Sequence, residues 1–405
     1  MDCIKRMPAL QITQPPRAEW GRFALVLLAG IAGGAQLGKI PPLLDGLRDE
    51  FALSLVAAGL VASSFNLTGA TLGIASAAVS DRLGGERTQA LGLGLMALGN
   101  LTGAMAQSSL LLILGRLLEG IGFVLAIVAG PTLIAKLVPP DQRKLALGYW
   151  STYMPAGVAL GLLLTPPLAQ LIGWRGLWLG MAVLLGAFAL LLLRASPKES
   201  TGGSRQVQWA VFRRPAPWLL AGCFACYTTQ WFSIVTWLPT YLRASGTLPD
   251  AAIALGTALV VLANLMGTLG AAALMHRGVP RWLMIATVSL GMSLCGGWVF
   301  ADGTDSWTKI ALAFLASGFG GMLPASVLAS VPMHARNSGE IATVNGIVVQ
   351  VLNLGSFLGP PLLAALVAQL GGWSEGRWLL LGAGLLGLGL ALGLRRVELQ
   401  LGIGT

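Results

Sequence analysis

The chain has 405 residues, 55% of them hydrophobic and only 10% charged, and a formal net charge of +10. Soluble proteins carry about 25% charged residues, so this composition excludes an ordinary soluble domain. The positive charge does not point to nucleic acid either, because Lys and Arg sit in short loops between apolar runs, with no basic stripe interleaved with aromatics.

Residues 1–22 are polar and include Pro8, Pro15 and Pro16. The apolar run that follows is long and lacks a clear cleavage site, which predicts a cytoplasmic tail rather than a secretory signal. Apolar segments of about 20 residues can cross a bilayer. They are expected at 22–44, 54–79, 88–106, 109–135, 145–171 and 176–194, and again at 216–242, 250–275, 281–301, 308–332, 340–370 and 377–394. The reading is an all-α membrane protein of twelve transmembrane helices in two six-helix bundles. Residues 1–194 form the first bundle, 195–215 a cytoplasmic linker rich in Ser, Gly and basic residues, and 216–405 the second bundle. The linker's basic residues suit anionic lipid heads.

Loop charge sets the orientation. With the N-terminus inside, cytoplasmic segments hold 19 Lys and Arg residues and outer segments hold 6, with Arg116 alone inside a span. Both termini are therefore expected in the cytoplasm of a bacterial inner membrane. The halves repeat at a nearly constant offset. Asn66 matches Asn264, Gly120 and Gly122 match Gly318 and Gly320, Pro166-Pro167 matches Pro360-Pro361, and Trp174 matches Trp373. Same-topology repeats of this kind relate by an axis along the membrane normal. Cys223 and Cys226 have the CxxC spacing of redox or zinc sites. They fall inside a predicted span without a nearby His or further Cys, and read as packing residues.

Two segments carry a family resemblance. The loop after the second span reads Ser80-Asp81-Arg82-Leu83-Gly84-Gly85-Glu86-Arg87, and the fourth span contains Arg116-Leu117-Leu118-Glu119-Gly120-Ile121-Gly122. The first resembles the cytoplasmic Asp-Arg-x-Gly signature of the major facilitator superfamily, the second its Arg-x-x-x-Gly motif. The resemblance covers nearly the whole chain and implies the major facilitator fold and transport by alternating access. It assigns a conformational latch to Asp81, Arg82, Gly84 and Arg87. Gly85 and Glu86 stand where the family has basic residues, Ala77 where it has glycine, and Met275-His276-Arg277-Gly278 in the second half lacks the aspartate, so the latch is asymmetric. Glu119 replaces a more usual glutamine. Gly38-Lys39-Ile40-Pro41-Pro42 and Trp237-Leu238-Pro239-Thr240-Tyr241, together with Leu354-Gly355 and Gly359-Pro360-Pro361, are similar in texture to the cyanate and nitroimidazole permease branch. That implies uptake of a small anion or polar organic solute.

Ionisable groups inside a span are costly and mark pathways by default. Lys39 and Arg116 both fall in the outer half of the first bundle, where two cations facing one cavity attract an anion. The alternatives are that Lys39 snorkels to the interface and that Arg116 and Glu119 neutralise each other one turn apart. Glu119 is also the candidate proton-coupling group, because desolvation favours a neutral carboxyl and a nearby Arg favours the charged form. Tyr149 with Tyr153, Tyr227 with Gln230 and Trp231, and Asn345 with Asn353 are spaced to share helix faces. They complete the candidate substrate-binding set, with aromatic packing and interhelical amide bonds as the alternative. The family's cavity helices are the first, fourth, seventh and tenth. The paired prolines either shape gates or end helices, and Pro324 permits a bend. The expected partners are a small-molecule substrate, protons and membrane lipid. No cofactor, metal or nucleic acid is expected, and neither is an enzyme activity; the chain is expected to be a monomer. Proton-coupled uptake is favoured, and proton-driven export of a drug, metabolite or siderophore is the alternative.

Overall fold

Backbone N–H and C=O groups have no water to bond in a bilayer, and the chain satisfies them by forming helices. A computed structural model describes residues 19–195 and 208–402, with the side chains of 74, 75, 77, 78, 81, 135, 195 and 338 outside the description. The first half comprises α1 (Trp20–Gly38), α2 (Leu44–Glu50), α3 (Leu55–Leu83), α4 (Gly85–Ala104), α5 (Ser109–Leu137), α6 (Arg143–Trp150) and α7 (Tyr153–Ala195). The second comprises α8 (Pro215–Ala244), α9 (Asp250–His276), α10 (Arg281–Val299), α11 (Ser306–Ser330), α12 (Ser338–Leu370) and α13 (Arg377–Gln400).

Among the described residues, nine helical stretches are long and apolar enough to cross a membrane by themselves. One of them, Arg143–Arg194, contains two crossings. The 43 residues of α7 make about 65 Å of helix at ~1.5 Å per residue, roughly twice a hydrocarbon core of ~30 Å. Gly173 breaks α7 into two limbs with φ 72° and ψ 163°, a conformation nearly confined to glycine. The more polar α4 and α8 complete twelve crossings in two six-helix bundles.

Three local expectations need correction. The first span stops at Gly38 rather than running to 44, because Pro41 and Pro42 lack N–H donors; a 3-10 turn, Pro41–Leu43, and the short α2 follow. The fifth span is interrupted at Ser151 and Thr152, whose hydroxyls donate to the carbonyls of Gly148 and Tyr149 at 2.7 Å each. Tyr149 and Tyr153 therefore do not share one continuous helix. The later proline pairs do not end helices: Pro166-Pro167 lies inside α7 and Pro360-Pro361 inside α12. The indole N–H of Trp237 donates to the Pro360 carbonyl at 2.9 Å.

Small residues set the helix spacing. A Cβ on Gly99 of α4 would come within 2.6 Å of the Gly115 carbonyl, and one on Gly115 of α5 within 2.8 Å of the Gly99 carbonyl. Only glycine permits that backbone contact. The internal repeat extends to such contacts. A Cβ on Gly120 would meet the carbonyl of Phe65, and one on Gly318 faces the carbonyl of Ala263, each pair offset by 198. The halves meet where α3 lies along α12 and α7 packs on α9.

Candidate functional site

Lys39, Arg116 and Glu119 come together inside the first bundle, at 2%, 0% and 0% exposure. The Lys39 ammonium donates to the Gln36 side-chain oxygen and the Asn100 side-chain oxygen at 2.6 Å each, and to Glu119 Oε1 at 2.9 Å. Arg116 Nη1 donates to the Gln36 carbonyl at 3.0 Å and to Glu119 Oε2. The Asn100 amide also donates to Gln36 Oε1 at 3.1 Å. One carboxylate thus serves two cations, across α1, α4 and α5. Aromatic faces close the cluster: Lys39 lies 4.1 Å from the ring centre of Trp178, and Arg116 lies 4.7 Å from that of Phe65.

Among the described residues, two donors of Arg116, Nε and Nη2, are buried without an acceptor. They form one side of the guanidinium fork, the geometry that holds two oxygens of a planar group. An unmet buried donor costs about 1–3 kcal/mol, so stability alone gives no reason for this arrangement. Lys39 does not snorkel to the interface. Its ammonium turns into the bundle toward α4 and Trp178 on the second limb of α7.

From Arg116 and Phe65 a chain of aromatic rings leads away from the cluster. The rings of Phe65 and Phe123 are 5.0 Å apart, and those of Phe123 and Tyr153 are 6.4 Å apart. Tyr149 is half-exposed on α6. In the second half, the Tyr227 hydroxyl accepts a hydrogen bond from Asn264 at 2.9 Å, and the Trp231 indole donates to Ser317 at 3.0 Å. These two face α9 and α11. Gln230 instead turns to α10, where its side-chain oxygen accepts from Ser293 at 3.0 Å. Asn353 donates to the Val349 carbonyl at 2.8 Å and lies against Gly69 of α3, while Asn345 is half-buried.

Between the halves lies a small cavity of about 20 Å³, lined by Leu37, Ala62, Val158, Trp231 and Thr236. Trp231 is the member of the expected binding set on its wall. Beyond Ile40 and Pro41 the halves are clamped by Arg243. Its guanidinium donates to Asp45 at 2.7 Å and to the Pro42 carbonyl at 3.1 Å, while holding Asp250 of its own half at 2.9 Å.

In the expected latch loop, Gly84 turns the chain between α3 and α4 with φ 82° and ψ 157°. Arg82 and Arg87 are exposed, and the side chain of Asp81 lies outside the described residues. Glu86, which departs from the family pattern, is buried and paired with Arg22 of α1. Most of the linker, 196–207, also lies outside the description. Its described end docks on the second bundle, where Arg214 makes a two-pronged ion pair with Glu340 at 2.9 Å in each arm.

Sequence reasoning missed Gln36, Asn100, Phe65 and Trp178 as members of the charged cluster, and Arg243 with Asp45 as a clamp. Polar residues inside apolar runs were the available signal for Gln36 and Asn100. Nothing local marks Phe65 or Trp178.

The profile described as Major Facilitator Superfamily matches residues 23–360. The chain belongs to the Major Facilitator Superfamily. Curated relatives agree with that placement. The chain is 27% identical to the 2-nitroimidazole transporter of Escherichia coli (strain K12) over 372 residues, 87% of this chain and 91% of that protein. It is 25% identical to the cyanate transport protein CynX of the same strain over 309 residues, 75% of this chain and 79% of that protein. Among solved structures, it is similar to a bacterial homologue of the human lysosomal transporter Spinster, in an inward-facing and occupied conformation. That match has a TM-score of 0.78 at 16% identity and covers 94% of this chain and 97% of the other. This major facilitator protein is a multi-pass membrane transporter, not an enzyme.

Proposed function

We propose that the chain is a secondary transporter working by alternating access, which takes up a small anionic or polar organic solute together with protons. The observation that carries this reading is the shared carboxylate. Glu119 is enclosed with two cations, Lys39 and Arg116, and Arg116 keeps two unmet donors. Formal charges leave the cluster one positive charge in excess, which suits an arriving anion. The names of the nitroimidazole and cyanate relatives support a small, oxygen- or nitrogen-rich solute.

The coupling follows from competition for the guanidinium. A solute oxygen that takes up the free side of Arg116 draws it from Glu119. The carboxylate then loses a charged partner and becomes neutral by accepting a proton. Release of the solute restores the ion pair and expels the proton. Access alternates as the halves rock about the central cavity. The Arg243 clamp closes the end that loop charge assigns to the outside, so the described conformation is closed outward.

The test is Glu119→Gln in proteoliposomes. Uptake driven by a pH gradient should fall to background, while solute counterflow with no gradient should persist. Gradient-driven uptake at the original rate would remove Glu119 from coupling. Loss of counterflow as well would assign it to solute binding or folding instead.

A further inference from the structure

A second charged pocket lies at the opposite end of the second bundle from the Arg243 clamp. It has a volume of about 230 Å³ between the α9–α10 turn, the end of α11 and the end of α13, and its lining includes Arg281, Trp282, Met333 and Glu398. Arg281 opens α10, and the first N–H groups of a helix have no intrahelical acceptor and favour an anion. Among the described residues, Arg281 reaches only the thioether of Met333, and its Nε is buried without an acceptor. Sulfur is a weak acceptor, so the guanidinium is left without an oxygen partner. Arg395 lies 4.4 Å over the ring of Trp282, and Arg277 is exposed on the adjoining turn. The lining acid, Glu398, is engaged by the buried His334 at 3.3 Å. Exposed Leu283, Leu399 and Leu401 surround this end of the bundle.

We infer that this pocket binds the phosphate group of an anionic membrane lipid, with Arg281 and the start of α10 holding the phosphate and Arg395 its rim. A basic hollow at a bilayer surface, with an aromatic at headgroup level and leucines beside it, matches the three parts of a phospholipid. Free phosphate shares the headgroup chemistry but not the use of the leucines. The inference is independent of the solute site and of coupling.

The experiment measures lipid binding to the purified full chain by native mass spectrometry, comparing phosphatidylglycerol with phosphatidylcholine and with added inorganic phosphate. Phosphatidylglycerol should be retained over phosphatidylcholine. Arg281→Gln should weaken that retention about fivefold, the factor for one arginine at the surface. Should Arg281→Gln fold poorly, the exposed Arg395→Gln carries the same test, with Arg213→Gln as a surface-charge control. Competition by inorganic phosphate, lost in the same variants, would support the anion pocket and assign it to free phosphate. Equal retention of both lipids, or phosphatidylglycerol binding unchanged in both pocket variants, would overturn it.

Discussion

Glu119 is the shared counter-ion of the two buried cations Lys39 and Arg116. Buried ion pairs add little net stability, but removing one partner costs about 3–5 kcal/mol because a charge is left unpaired. Glu119→Ala leaves Lys39 and Arg116 facing each other, whereas Lys39→Met keeps the volume and leaves Arg116 with a matched carboxylate. Thermal unfolding in detergent should therefore show the larger loss for Glu119→Ala, by about 3–5 kcal/mol, and a smaller one for Lys39→Met. The reverse order would mean that Lys39 is neutral in the folded protein. Arg116→Lys keeps the charge but removes the planar fork. Solute binding by that variant should fall at least tenfold while its unfolding temperature changes little; unchanged affinity would exclude the free Nε and Nη2 donors from the solute site.

At the scale of elements, turns and close contacts set the geometry that single helices do not. Gly84 joins α3 and α4 with a positive φ and extended ψ. A side chain there costs about 1–3 kcal/mol in backbone strain. Gly84→Ala should lower the unfolding temperature and disturb the Arg22–Glu86 pair just beyond the turn, without loss of helix content by circular dichroism. An unchanged unfolding temperature would mean that the turn relaxes freely. The break at Ser151–Thr152 separates α6 from α7 and leaves Tyr149 half-exposed while Tyr153 joins the ring path to Arg116.

At the scale of the whole molecule, the relation between halves rests on few polar contacts among the described residues. Arg243 reaches across to Asp45 and the Pro42 carbonyl. Exposed or half-exposed ion pairs contribute roughly 0–1 kcal/mol each, which suits a contact that must break in every cycle. Arg243→Ala should shift the population toward opening at this end. A cysteine placed at Thr236 on the cavity wall, in a background lacking the native cysteines, should then react several-fold faster with a membrane-impermeant thiol reagent. An unchanged rate would show that helix packing, such as Gly59 against Pro361, where a Cβ on the glycine would meet the proline backbone at 3.0 Å, holds the closure without the clamp.

Membrane character, helix number and the twofold repeat were legible in the chain, because hydropathy over some 20 residues and loop charge are local properties with direct consequences in a bilayer. Arg116 and Glu119 also stood out, since charge in an apolar run needs no structure to be noticed. What the sequence could not supply was partnership. Lys39 meets Asn100 and Glu119 across 61 and 80 residues, and Tyr227 parts from Gln230 because the helices around α8 offer different partners on its two sides. Which polar groups share an interior depends on which helices touch and how closely their glycines let them approach. Only the packed bundle fixes that.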